Sequence, residues 1–215
     1  MARIDLRVSR GLRALGGASL VTVLGASPAF AHHVMDGQMP GTFMQGLLSG
    51  FGHPIIGPDH FAFVIAIGMA STLFARGAVA PLAFVGATLL GCVIHLFAFD
   101  LPFAEPVIAI SVLAAGVLLA LRKAIDLRLF VGLTALAGLF HGYAYGESIV
   151  GAEPSPLVAY LIGFAVIQSA IALGAFFATR WWLSRSTETA AVGVRVAGGV
   201  VAAVGLFFLS SAVVA

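Results

Sequence analysis

Apolar residues run along this chain in six long blocks, at roughly 56–75, 79–99, 102–121, 128–147, 156–179 and 191–214, separated by short polar breaks. Each block is near the ~20 residues that a helix needs to cross a bilayer. The pattern predicts an all-α integral membrane protein with six transmembrane helices. A further stretch, 41–52, is glycine-rich and moderately apolar. It is too short to span and is expected to be interfacial or re-entrant.

Composition agrees with the pattern. Of the 215 residues, 60% are hydrophobic and only 9% are charged, against about 25% charged in soluble domains. The lone cysteine, Cys92, rules out a disulfide framework and reads as a small core or lipid-facing residue.

The first 31 residues have the form of a cleavable secretory signal. Arg3, Arg7, Arg10 and Arg13 form a basic start, Leu15 to Leu24 an apolar centre, and Ala29-Phe30-Ala31 a cleavage motif. Residues 32–215 then form one six-helix domain. Without the signal the chain carries seven basic and eight acidic residues. The formal charge of +2 therefore points to no nucleic-acid partner.

Charge also predicts topology. Arg76, Arg122, Lys123, Arg128, Arg180, Arg185 and Arg195 fall in alternate breaks between blocks, so all lie on one side of the membrane. That side is expected to be cytoplasmic. Asp36, Asp59, Asp100, Glu105, Glu147 and Glu153 fall at or near the other side. The mature N-terminus then lies outside, on the periplasmic face of a bacterial inner membrane, as a cleaved signal independently requires, and six spans return the C-terminus to the same side. Trp181 and Trp182 beside Arg180 are expected to anchor the interface.

Against this apolar background one polar knot stands out, His53-Pro54-Ile55-Ile56-Gly57-Pro58-Asp59-His60. Ionisable groups in a membrane segment point to function. Pro58 suits the first position of a helix, which puts Asp59 and His60 in its first turn. Gly57 tolerates a positive φ, and His53 is expected on irregular backbone just before the helix. Irregular backbone at membrane depth is tolerated where it is buried or lines a cavity.

A second cluster, His141-Gly142-Tyr143-Ala144-Tyr145-Gly146-Glu147-Ser148, closes the fourth block. On a helix His141 and Tyr145 share a face, and Gly142 with Gly146 allows close approach of a neighbour. By the predicted topology both clusters lie in the outer half of the membrane and can face each other. Three weaker signals complete the set. The mature terminus would start His32-His33-Val34-Met35-Asp36, a candidate metal-capture group. His95 is a supporting candidate, and Gln168 reads as a polar contact between helices.

His53, Asp59, His60, His141 and Glu147 offer nitrogen and oxygen donors without thiolate. That set suits Ni²⁺, Co²⁺ or Zn²⁺ rather than Cu(I). Mixed, weakly charged donors allow reversible binding, which translocation requires. Two histidines and an aspartate could also hold a catalytic zinc. However, His-Glu-x-x-His is absent and no serine or cysteine nucleophile adjoins a base, so no enzyme is expected. A b-type haem would need facing histidines such as His95 and His141, and nothing else supports it. No nucleotide-binding motif is present.

At these residues the chain resembles the HupE/UreJ family of bacterial nickel/cobalt permeases. The family motif His-Pro-x-x-Gly-x-Asp-His is matched in full by His53 to His60. A second motif, Phe-His-Gly-x-Ala-His-Gly-x-Glu, is matched by Phe140, His141, Gly142, Ala144 and Gly146. Tyr145 replaces its second histidine, and Glu147 comes one position early. Leu101 to Pro106 looks like the family's second periplasmic loop. The resemblance implies transport of Ni²⁺ or Co²⁺ as cargo, with no permanently bound cofactor. It makes His53, Asp59 and His60 essential and His141 and Glu147 contributory. Tyr145, a weaker ligand, could orient His141 by a hydrogen bond. Its partners are then the divalent cation, the lipid bilayer and, indirectly, nickel or cobalt enzymes; a homo-oligomer stays open. The alternative is a membrane accessory protein for a hydrogenase or urease that holds metal without moving it.

Overall fold

A computed structural model describes residues 38–123 and 125–214. The expected signal segment, together with His32, His33 and Asp36, lies outside the described residues. Seven α-helices follow in order: α1 Phe43–Ile56, α2 Pro58–Ala70, α3 Val79–Leu96, α4 Ala104–Leu121, α5 Leu127–Glu147, α6 Pro154–Arg185 and α7 Thr187–Val214. A 3-10 turn, Ser71–Leu73, extends α2. No strand occurs among the described residues.

Helices α3 to α7 are each long and apolar enough to cross a membrane. No single helix covers the expected 56–75. The region is the pair α1 and α2, bent by 80° at Gly57, the geometry of a broken span or of a re-entrant loop, and α1 covers most of the 41–52 stretch expected to be interfacial or re-entrant. Two local signals explain this. Thr42 and Gln45 form a capping box that starts α1 thirteen residues before the expected helix start. Gln45 Oε1 accepts from the amides of Gly41 and Thr42, and Thr42 Oγ1 accepts from Gln45 N–H. At the other end Pro58 has no N–H to continue the ladder, so the chain stops at Gly57 and restarts at Pro58.

Two later helices outrun their apolar blocks. The 32 residues of α6 correspond to about 48 Å, longer than the ~30 Å hydrocarbon core. Its last turns carry Arg180 over the Phe176 ring and Arg185 over the Trp181 ring, 5.9 and 5.7 Å from the centroids. Such amphipathic pairs suit a membrane interface. The polar start of α7, Thr187 to Ala190, similarly lies before the expected 191.

Helix pairing sets up the site. α3 lies along α5, α4 along α7, and α1 along α6, while α2 packs on α6 and α4. The α3–α5 contact depends on Gly142. A Cβ there would collide with the Thr88 carbonyl oxygen. Without lipid-phase hydrophobic attraction between helices, such close packing is a main source of association. Across the same region Gln168 Nε2 donates to Thr88 Oγ1 at 3.2 Å, joining α6 to α3. Phe63, Phe84, Val112 and Leu119 fill the centre.

This packing makes a direct prediction. Gly142→Val should force α3 from α5 and destabilise the fold by about 1–3 kcal/mol. Thermal unfolding in detergent should show a lower Tm. Gly132→Ala, where the added Cβ meets nothing within 4 Å, should leave Tm nearly unchanged. Equal Tm values for the two variants would rule out the packing role of Gly142.

Candidate functional site

The two polar clusters meet at one end of the bundle. His53 sits in the last turn of α1, Asp59 and His60 in the first turn of α2, and His141 and Tyr145 in the last two turns of α5. His141 lies six residues, about 9 Å, inside the end of α5. The basic residues Arg122, Arg128, Arg180 and Arg185 cap or flank the opposite helix ends.

His53 is therefore helical, not on irregular backbone, and Pro54 lies within the same helix. The helix persists because the Gly57 amide still reaches the His53 carbonyl, at 3.4 Å. Gly57 itself is extended, with φ −77° and ψ 107°, so a positive φ is not its role. Space is. A Cβ at Gly57 would stand 2.9 Å from His60 Cδ2 and 3.4 Å from Asp59 Oδ1.

A continuous polar and aromatic chain crosses the interior. His60 Nδ1 and His141 Nδ1 are 2.7 Å apart, and both residues are buried. His141 Nε2 lies 2.9 Å from Ser111 Oγ on α4. On the other side the Tyr145 ring stands between His60 and His53, with centroid separations of 4.4 and 4.9 Å. His53 Nδ1 then meets Ser148 Oγ at 3.0 Å and Tyr160 Oη, on α6, at 3.1 Å. Both hydroxyls also donate to the Tyr145 carbonyl. Phe63 stacks on His141 at 4.4 Å, and Phe84 meets it edge-on. Six of the helices thus contribute to one buried group.

Two buried oxygens here have no hydrogen-bond partner among the described residues, Asp59 Oδ1 and Tyr145 Oη. Tyr145 does not orient His141 by a hydrogen bond, because both nitrogens of His141 face other groups. It contacts His60 and His53 through its ring instead. Glu147 is exposed at the end of α5. His95 is apart from the chain, packed on Tyr143 at 4.4 Å, and Tyr143 Oη donates to Asp100 at 3.3 Å. Among the described residues no three His, Cys, Asp or Glu side chains converge on one ion position.

Ser111 and Tyr160 were not singled out by sequence reasoning. Each had a signal. Ser111 is the one hydroxyl residue in the apolar stretch of α4, and Tyr160 the one phenol in α6. A polar group isolated in a membrane helix needs a partner.

The HupE / UreJ protein family matches residues 20–208. The chain belongs to this family. Protein HupE of Rhizobium leguminosarum bv. viciae is 32% identical to it over 188 residues, covering 86% of this chain and 92% of that protein. No solved structure matches the chain. As a HupE/UreJ protein it is an all-helical, multi-pass membrane protein, and both sequence clusters lie within the matched span.

The hydroxyl network can be tested by itself. Tyr160→Phe removes a buried hydroxyl shared by His53, Ser148 and the Tyr145 carbonyl. It should destabilise the protein by about 1–3 kcal/mol. Tyr143→Phe, whose partner Asp100 is exposed, should change stability by about 0.5 kcal/mol or less. Denaturant unfolding in mixed micelles measures both.

Proposed function

We propose that this HupE/UreJ protein is an inner-membrane secondary permease that imports Ni²⁺, with Co²⁺ as its other cargo. The observation that carries this reading is the meeting of His53, Asp59, His60 and His141. They come from three helices and 88 positions of sequence, yet are buried together at one bundle end. Burial of so many ionisable groups at membrane depth is costly and points to a cation route.

Orientation follows from charge. The basic helix ends mark the cytoplasmic side, so the histidine end faces the periplasm, where a cation would arrive. Exposed Glu147 would draw the cation toward the opening. His53 and His60, with the Asp59 carboxylate, would replace part of its hydration shell. Nitrogen and oxygen donors fit a borderline dication, and a modest donor set permits release. Ligation needs neutral imidazole, so protons compete with the metal. The imported ion would serve nickel enzymes such as a hydrogenase or urease.

The test is uptake of radioactive Ni²⁺ and Co²⁺ by cells lacking their own permeases. Wild type should accumulate metal. His53→Ala, Asp59→Ala and His60→Ala, at matched membrane levels, should each lower uptake roughly tenfold or more. Glu147→Ala should lower it less. Absence of uptake by correctly inserted wild type would exclude the permease reading. Metal binding by the purified protein in that case would favour an accessory role instead.

A further inference from the structure

The hydrogen-bond partners around the histidines favour one placement of their ring protons. Ser111 Oγ is 2.7 Å from the Ile108 carbonyl oxygen and 2.9 Å from His141 Nε2. A hydroxyl has one proton, and a carbonyl oxygen can only accept. The shorter contact favours donation of the Ser111 proton to Ile108, and Ser111 Oγ then accepts from His141 Nε2–H. A neutral imidazole protonated at Nε2 has its lone pair at Nδ1. His141 Nδ1 thus accepts from His60 Nδ1–H across the 2.7 Å contact. In its neutral form His60 then holds its lone pair at Nε2.

The same accounting applies at His53. Ser148 Oγ and Tyr160 Oη both donate to the Tyr145 carbonyl, at 3.1 and 3.0 Å. The two hydroxyl oxygens are also 3.2 Å from each other, but their contacts to the carbonyl are shorter; with both protons given to the carbonyl, both oxygens accept from His53 Nδ1–H. The lone pair of neutral His53 is likewise at Nε2. Two histidines on different helices are brought to the same tautomer by different neighbours.

We infer that Ser111, through His141, and the Ser148–Tyr160 pair are positioning residues that hold His60 and His53 as Nδ1–H tautomers with donor Nε2 atoms. His141 is then a relay between Ser111 and His60 rather than a ligand, since both its nitrogens are engaged. The tautomer assignment stands on the hydrogen bonds alone. Its consequence for cation binding rests on the function proposed above. A metal-ligating histidine commonly donates its second ring N–H to a fixed partner, which sets orientation and basicity. Here one such partner is itself a histidine.

The experiment is ¹⁵N NMR of the metal-free, full-length protein in lipid bilayers, with labelled histidine, at a fixed pH above the ordinary histidine range. Single His→Gln variants assign the signals. His53 and His60 should show the Nδ1–H pattern, and His141 the Nε2–H pattern. Ser111→Ala should turn the His60 and His141 signals into a tautomer mixture while leaving His53 unchanged. Ser111→Thr, which keeps the hydroxyl, should restore the wild-type pattern. His60 protonated at Nε2 in wild type, or a Ser111→Ala spectrum identical to wild type, would overturn the assignment. The wild-type spectrum decides even if Ser111→Ala does not fold.

Ni²⁺ titration of the same samples separates the two claims. Ser111→Ala should bind roughly tenfold or more weakly, and Ser111→Thr should recover. Expected tautomers in a wild type that binds no Ni²⁺ would leave the assignment standing and remove the cation reading alone.

Discussion

His60 and His141 meet through their Nδ1 atoms 2.7 Å apart, at 2% and 0% exposure. A polar ring buried without a partner would cost several kcal/mol in surroundings this apolar. Each imidazole here supplies what the other needs, and Ser111 closes the far end. The contact demands that α2, α5 and α4 come together at one level. The rest of the packing can be understood from that demand. Gly142 brings α5 against α3, while Phe63 and Phe84 wall the His141 ring.

The break at Gly57 is the second constraint. A straight helix over 56–75 would carry His60 within one span and leave His53 outside it. The 80° bend instead joins two short helices and sets His53 and His60 on either side of the Tyr145 ring. Gly57 has the small volume that the His60 ring requires beside it. The same eight residues thus both break the helix and carry the two histidines.

Much of this was legible in the chain itself. Hydropathy located five of the long helices, all but the C-terminal end of α6 within about four residues, and the Pro58 start and the first-turn position of Asp59 and His60 follow from proline and dipole chemistry. The small-residue spacing at Gly142 and Gly146 correctly marked a helix contact. Hydropathy also marked 41–52 as a short interfacial or re-entrant segment, where α1 lies; it did not give the helix start, because a capping box at Thr42 is a hydrogen-bond signal and not an apolar one. The roles of Ser111 and Tyr160 were hidden for a different reason. Each is a single polar residue in an apolar run, and its partner lies 30 or 107 positions away. Such pairing depends on helix-to-helix placement that local periodicity does not encode. Tyr145 shows the converse. Its position on the His141 face was readable, but its ring contacts with His60 and His53 depend on the bend at Gly57.

The central claim is that a cation is held by His53 and His60 in this buried group. X-ray absorption of the purified protein loaded with one equivalent of Ni²⁺ tests it most directly. The expected spectrum has nitrogen and oxygen neighbours only, with outer-shell scattering from imidazole that falls in both His53→Ala and His60→Ala. A sulfur neighbour, or imidazole scattering unchanged by both substitutions, would contradict the claim and place the ion elsewhere on the chain.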